Sequence, residues 1–257
     1  MLLVLPVTVI VFWLWLNQES MIFPAPNTAG VTLTVPGFFD VSLKTSDGEI
    51  LRVFWRLPDT GKPVIIVFHG NGDAALFQQT KGRMLARAGF GVLLAEYRGY
   101  GGSTGSPSEN GLHLDALAAY DFARNQTEVP IGVYAHSLGT GVALELALKR
   151  KVFALVLESP FDSLQAVAQS KMTWLPMSAL LKHPFRSDHR IGKIDVPILI
   201  MHGNQDRVVP IEHGQRLVNL APEGTDFVEI SGAGHNDINQ FGTIEQAIAF
   251  FRQAQIR

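Results

Sequence analysis

The chain has no cysteine. That removes disulfides, thiolate catalysis and cysteine-based metal sites together. Its eight histidines show no metal-ligand spacing such as H-E-x-x-H, so the sequence offers no reason to expect a metal or any other cofactor. Charge of either sign is sparse and balanced: 21 Lys and Arg against 23 Asp and Glu, scattered without a basic stripe or an acidic block. Nucleic acid is therefore not an expected partner. Repeats and low-complexity tracts are missing as well. A hydrophobic fraction of 47% over 257 residues suits one α/β domain with a full core.

The N-terminus lacks Lys and Arg ahead of its apolar run, Leu2 to Leu16, and so lacks the n-region of a secretory signal. The run is shorter than most spanning helices, and Trp13 and Trp15 near its end suit an interfacial belt. A buried core element is the plain alternative. The Pro-rich stretch after the run favours an uncleaved anchor over residues 1–20, a linker over 21–39 and a folded domain over 40–257. The domain is expected at a membrane through this single anchor, weakly favoured on the extracytoplasmic side. Oligomeric state is left open.

Beyond residue 40, strand-like and helix-like runs alternate. Val41 to Leu43 and Ile50 to Leu57 flank Thr45-Ser-Asp-Gly48 as a hairpin. The solid apolar run Val64 to Phe68 reads as a strand covered on both faces. Helix-like and strand-like segments then follow in turn to Phe251. This rhythm predicts a mostly parallel central sheet with helices on both faces. Residues 160–195 break it. Their large apolar residues, Trp174, Leu175, Met177, Leu180 and Leu181, read as a short helical cap.

The centre of the chain is Ile131-Gly-Val-Tyr-Ala-His-Ser-Leu-Gly-Thr-Gly141. A buried strand, a sharp turn carrying Ser137 and a helix form the layout of a nucleophile elbow, with Ala135 where Gly is usual. A lone Ser at such a junction reads equally well as a helix N-cap. Two further residues decide between the readings. Asp206 follows one apolar strand and His235 follows the next, each at a strand-to-loop junction. Ser, Asp, His in that order supply a nucleophile, a base to take its proton and an acid to orient the base. Asp162 is the alternative acid, and Asp237 is expected to cap the segment after it, with orientation of the His235 loop as its other reading. Oxyanion donors are assigned to the backbone N–H of Leu138 and, in His69-Gly-Asn-Gly72, of Asn71. His69 as a second base is the weaker reading, and Arg98 is expected in a structural salt bridge. Trp174 and Leu175 are expected to contact substrate.

Val-Phe-His-Gly-Asn-Gly72, Tyr-Arg-Gly-Tyr-Gly-Gly102, Ala-His-Ser-Leu-Gly139, Glu-Ser-Pro-Phe161 and Gly-Ala-Gly-His-Asn-Asp237 together resemble the α/β-hydrolase superfamily. Within it they are similar to the membrane-associated serine hydrolases that include protein depalmitoylases and their bacterial relatives. The resemblance runs from about Val41 to the C-terminus. It implies hydrolysis of a small-molecule or lipid ester or thioester through an acyl-enzyme, with Ser137, Asp206 and His235 as the triad. A serine aminopeptidase, a (lyso)phospholipase and, outside enzymes, a silent membrane-tethered binding module are the alternatives. Depalmitoylases of this kind carry a Cys-rich lipidated N-terminus; this chain carries the apolar run instead.

Overall fold

A computed structural model describes residues 4–28 and 34–256. Helix α1 (Val4–Ile22) comes first, then the hairpin β1 (Phe39–Lys44) and β2 (Ile50–Arg56). β3 (Val64–Phe68), α2 (Gln79–Arg87), β4 (Gly91–Ala95), α3 (Glu109–Gln126), β5 (Ile131–His136), α4 (Leu138–Lys149) and β6 (Leu155–Glu158) come next. The cap carries α5 (Leu164–Lys171) and the single turn α6 (Met177–Leu180). β7 (Ile198–Gly203), α7 (Ile211–Leu220), β8 (Asp226–Ile230) and α8 (Thr243–Ala254) close the chain.

The eight strands form one sheet in the order β1-β2-β4-β3-β5-β6-β7-β8. β1 and β2 pair antiparallel, as does β2 with β4, and the rest are parallel. The expected α/β architecture is therefore present. Strand periodicity sorts the core. Val64, Ile66 and Phe68 join the cluster under α3 and α4, while Ile65 and Val67 join the cluster under α2 and α8. Val133 and Ala135 divide from Tyr134 in the same way. Side chains at i and i+2 share a face, so a run buried on both faces must be apolar throughout.

From β3 the chain runs outward to β4 on one side, and from β5 outward to β8 on the other. The loops leaving the C-terminal ends of β3 and β5 thus part company and leave a crevice between them. Such switch points are where open α/β sheets bind ligands.

The N-terminal region is a helix whose C-terminal end packs against the cap. Among the described residues no helix is long and apolar enough to cross a membrane. The physical reason lies in sequence and packing. The helix continues through Asn17-Gln-Glu-Ser20 into Ile22, so a polar stretch interrupts its apolar run, and that end is fastened to the cap. Gln18 donates to the Leu180 carbonyl at 3.2 Å and accepts from the Lys182 N–H at 2.7 Å. Lys182 also stands 4.5 Å from the Trp15 ring centre. In the segment expected as a linker, Phe23 and Val35 are buried in the two clusters. The face of α1 turned from the cap exposes Val9, Phe12, Trp13 and Leu16, one stripe at i, i+3, i+4 and i+7.

Candidate active site

A sharp turn carries Ser137 between a strand and a helix, as the sequence leads one to expect. Ser137, between β5 and α4, has φ 50° and ψ −117°. A non-glycine residue at positive φ is strained, and the surroundings must hold it there. They do so with close backbone packing. A Cβ on Gly139 would sit 2.7 Å from the Phe68 carbonyl oxygen and 2.8 Å from that of His69. The first turn of α4 can lie against the end of β3 only because Gly139 has no side chain. The Ser137 N–H donates to the Glu158 carbonyl at 2.9 Å, tying the elbow to β6.

Ser137, His235 and Asp206 form one continuous line. Ser137 Oγ lies 2.8 Å from His235 Nε2, and His235 Nδ1 lies 2.6 Å from Asp206 Oδ2. With Nδ1–H donating to the carboxylate, Nε2 is free to accept the hydroxyl proton. The other carboxylate oxygen, Asp206 Oδ1, accepts the N–H groups of Val208 and Val209 at 2.9 and 2.8 Å. Burial alone would raise the Asp206 pKa. Hydrogen bonds from His202, His235 and the Val209 N–H outweigh it and hold the carboxyl well below the usual range.

The Leu138 N–H stands at the first position of α4, where a helix has no internal acceptor for it. Across the crevice is the β3 loop. A Cβ on Gly70 would meet His136 Nδ1 at 2.9 Å and Ser137 Cβ at 3.2 Å, so this loop passes close over the elbow. Its support is a buried ion pair. His69 Nε2 lies 2.7 Å from Glu96 Oε1, and His69 Nδ1 lies 2.7 Å from the Gly70 carbonyl. Both ring nitrogens face acceptors, which is the pattern of an imidazolium. Burial opposes that charge, but the Glu96 carboxylate and the Gly70 carbonyl raise the His69 pKa above its ordinary value. Glu96 Oε2 also accepts the Ala75 N–H at 3.1 Å.

The crevice over Ser137 has a volume of about 550 Å³ and a largely polar wall that includes Asn71, Gln78, Lys81, Asn236 and Asn239. Lys81 is itself buried, 2.8 Å from Glu158 Oε2 and 4.0 Å from the Tyr134 ring centre. Among the described residues no group of His, Cys, Asp or Glu is arranged to hold a metal ion.

A family model described as serine aminopeptidase, S33, matches residues 59–189. The chain belongs to this family of α/β-hydrolases. It is a serine hydrolase. It is 36% identical over 239 residues to an uncharacterized protein of Mycobacterium tuberculosis, covering 89% of this chain and 84% of that one. It is 31% identical over 240 residues to the lysophosphatidylserine lipase of Xenopus tropicalis, covering 80% of this chain and 59% of the lipase. The chain thus spans about three fifths of that relative. Among solved structures, an esterase of Pyrococcus furiosus matches with a TM-score of 0.71 at 21% identity, over 86% of this chain and 91% of the esterase. An esterase of Exiguobacterium antarcticum matches with a TM-score of 0.65 at 17% identity, over 83% of this chain and 100% of that one. At these identities the two structures speak for the fold alone.

Other residues of the hydrolase find different partners. Asp162, the alternative acid, pairs with His213 and Arg216 at 2.7 and 2.6 Å and lies in a separate cluster at the base of the cap. Burial raises its pKa, but those two partners prevail and lower it to about 2. Arg98 bridges Asp47 and Asp115. Asp237 accepts the Gly234 N–H at 2.7 Å, so its carboxylate holds the His235 loop rather than capping the following turn. Trp174 is 62% exposed, whereas Leu175 is buried. Two histidines that the sequence did not single out complete the site. His136 Nε2–H donates to the His235 carbonyl at 3.1 Å. His202 Nε2 lies 2.8 Å from the Val209 carbonyl and 3.4 Å from Asp206 Oδ2. Position supplied a signal for both, His136 beside the nucleophile and His202 at the end of β7.

Proposed function

We propose that this hydrolase cleaves a carboxylic ester or acyl thioester through an acyl-enzyme on Ser137. The observation that carries the reading is the hydrogen-bonded line from Asp206 through His235 to Ser137 Oγ, 2.6 and 2.8 Å. In the first step Ser137 Oγ bonds to the acyl carbon while its proton passes to His235 Nε2. The imidazolium so formed is stabilised by Asp206. Negative charge gathers on the former carbonyl oxygen, and the N–H groups of Leu138 and Asn71 are the proposed donors to it. The bond to the alcohol or thiol then breaks, and His235 Nε2–H gives its proton to the leaving group. Water repeats the sequence on the acyl-enzyme. It loses a proton to His235, expels Ser137 Oγ as the acid forms, and the proton returns to the serine.

A second reading of the substrate is a lysophospholipid. It draws support from the relatives named lysophosphatidylserine lipases and from the polar wall of the crevice, which suits a hydrophilic leaving group. The family description leaves an aminoacyl amide as a third substrate class.

The test is Ser137→Ala. Hydrolysis of p-nitrophenyl acetate should fall by on the order of 10⁴-fold or more, with fluorophosphonate labelling lost and the circular dichroism unchanged. Labelling that persists in the folded variant would assign the nucleophile elsewhere. Comparing p-nitrophenyl esters, acyl thioesters, lysophospholipids and aminoacyl amides on the wild type then ranks the leaving groups.

A further inference from the structure

An apolar groove lies between α1 and the cap. Leu14, Gln18 and Ile22 line it from the helix, and Leu164, Ala168 and Leu175 line it from the opposite wall. Its volume is about 200 Å³. The helical residues recur at the spacing of one face, so the groove follows the helix axis. From Ile22 back to Val11 it runs about 16 Å at 1.5 Å per residue.

Its chemistry is unusually uniform. Among the described residues Gln18 is the one hydrogen-bonding side chain on the wall apart from the indole of Trp15, and both ends of its amide are engaged. Gln18 Nε2 donates to the carbonyls of Trp15 and Leu180 at 3.0 and 3.2 Å, and Oε1 accepts from the Lys182 N–H at 2.7 Å. Among the described residues no lining side chain titrates. A polar occupant would lose its hydration and find little in return, whereas a hydrocarbon would lose nothing.

Its position ties it to the reaction. Ile22 lines the groove and Asn71 lines the crevice over Ser137, and Asn71 Nδ2 donates to the Ile22 carbonyl at 3.1 Å. A solvent-exposed hydrogen bond thus links a residue of the polar crevice to a residue of the apolar groove, next to the loop that passes over Ser137. A molecule that occupies both has a hydrophilic end, an acyl carbon between, and a long unbranched tail.

We infer that helix α1 is a wall of the substrate site, and that the groove it forms with the cap takes the acyl chain of the scissile ester or thioester. The inference rests on the acyl-enzyme reading of Ser137 and adds to it the residues that select chain length. Binding energy realised along the groove in the transition state raises kcat/KM. Each methylene that enters is worth at most about fourfold, the equivalent of ~0.8 kcal/mol.

The experiment uses the full chain and p-nitrophenyl esters from acetyl to decanoyl, below their micellar range. Active sites are counted by fluorophosphonate titration. The wild type should show kcat/KM rising with chain length. Ala168→Trp and Leu14→Trp fill the groove from opposite walls, and each should lower the decanoyl-to-acetyl ratio at least tenfold. Phe12→Ser, on the outward stripe of α1, should leave that ratio unchanged. A flat wild-type profile, an unchanged ratio in both groove variants that retain labelling, or an equal drop in Phe12→Ser would overturn the inference. Loss of both labelling and acetyl turnover from the wild type would instead remove the acyl-enzyme reading beneath it.

Discussion

The crevice over Ser137 and the groove between α1 and the cap are linked by the hydrogen bond from Asn71 to Ile22 and are built on opposite principles. The crevice is held by charge. Asp206 with His235, His69 with Glu96, and Lys81 with Glu158 are buried ionisable pairs whose members come from strands, loops and a helix. The groove is held by contact between apolar side chains, with one amide fastening its rim. Directional bonds fix atoms to fractions of an ångström, which proton transfer requires. An apolar wall fixes nothing so finely but accepts any chain that fits. The first region is suited to chemistry and the second to choice of substrate.

Breaking the charge network should have the largest consequence. Asp206→Asn removes the acceptor that sets the His235 tautomer, and kcat/KM for p-nitrophenyl acetate should fall by about 10⁴-fold with little loss of fold. Steady-state kinetics on titrated active sites measures this. A loss below tenfold would show that Asp206 does not orient His235.

Next in size is Glu96→Gln. The amide can still accept from one side of His69, but its NH₂ would then face the Ala75 N–H, donor against donor. Breaking a buried pair in this way costs about 3 kcal/mol or more. The midpoint of urea unfolding should drop accordingly. An unchanged midpoint would mean that His69 is neutral and that the loop over the elbow does not depend on its charge.

The smallest effect per step of the titration separates the two regions by pH. Burial, the nearby His235 and Lys81 lower the His136 pKa to about 3, against ~6.5 for an unperturbed histidine. As pH falls from 6.5 toward 3, the unfolded chain takes up a proton that folded His136 refuses. Its contribution, present above pH 6.5, is therefore lost in acid by up to ~1.4 kcal/mol per pH unit. His136→Gln should flatten the slope of unfolding free energy in that window by about one proton. The groove has no titrating wall, so the decanoyl-to-acetyl ratio should stay constant over the same range. A ratio that follows the acid slope would erase the distinction between the regions.

Much of the crevice was legible in the sequence because its key residues sit at strand ends, which periodicity locates. Val64 to Phe68 marks the strand that feeds Asn71, and Ile131 to Ala135 marks the one that feeds Ser137. Asp206 and His235 obey the same rule. The supports were not legible. Glu158 finds Lys81 from a distant helix and Tyr134 from the neighbouring strand, and only strand order brings these together. The elbow helix also begins at Leu138, earlier than Val142, where its helix-forming residues begin. Gly139 and Gly141 are poor helix formers, but Gly139 is required against the backbone of β3. The N-terminal run is ambiguous for a different reason. Apolar composition reads alike whether the neighbour is lipid or a cap, and Gln18 shows its use only beside Leu180 and Lys182.

The strand order carries one more consequence. Residues 39–95 supply every strand on one side of the seam between β3 and β5, and residues 131–230 supply every strand on the other. The seam has a single pairing, Val64 to Phe68 against Ile131 to Ala135. Asn71 belongs to the first half, while Ser137, Asp206 and His235 all belong to the second. A chain interrupted between α3 and β5 would divide along this line into two pieces. One piece would hold the reacting groups with no loop to close over them, and the other would hold the loop with nothing beneath it. The hydrolase is in this sense two half-machines sharing one edge, and its turnover is a report that the halves have met.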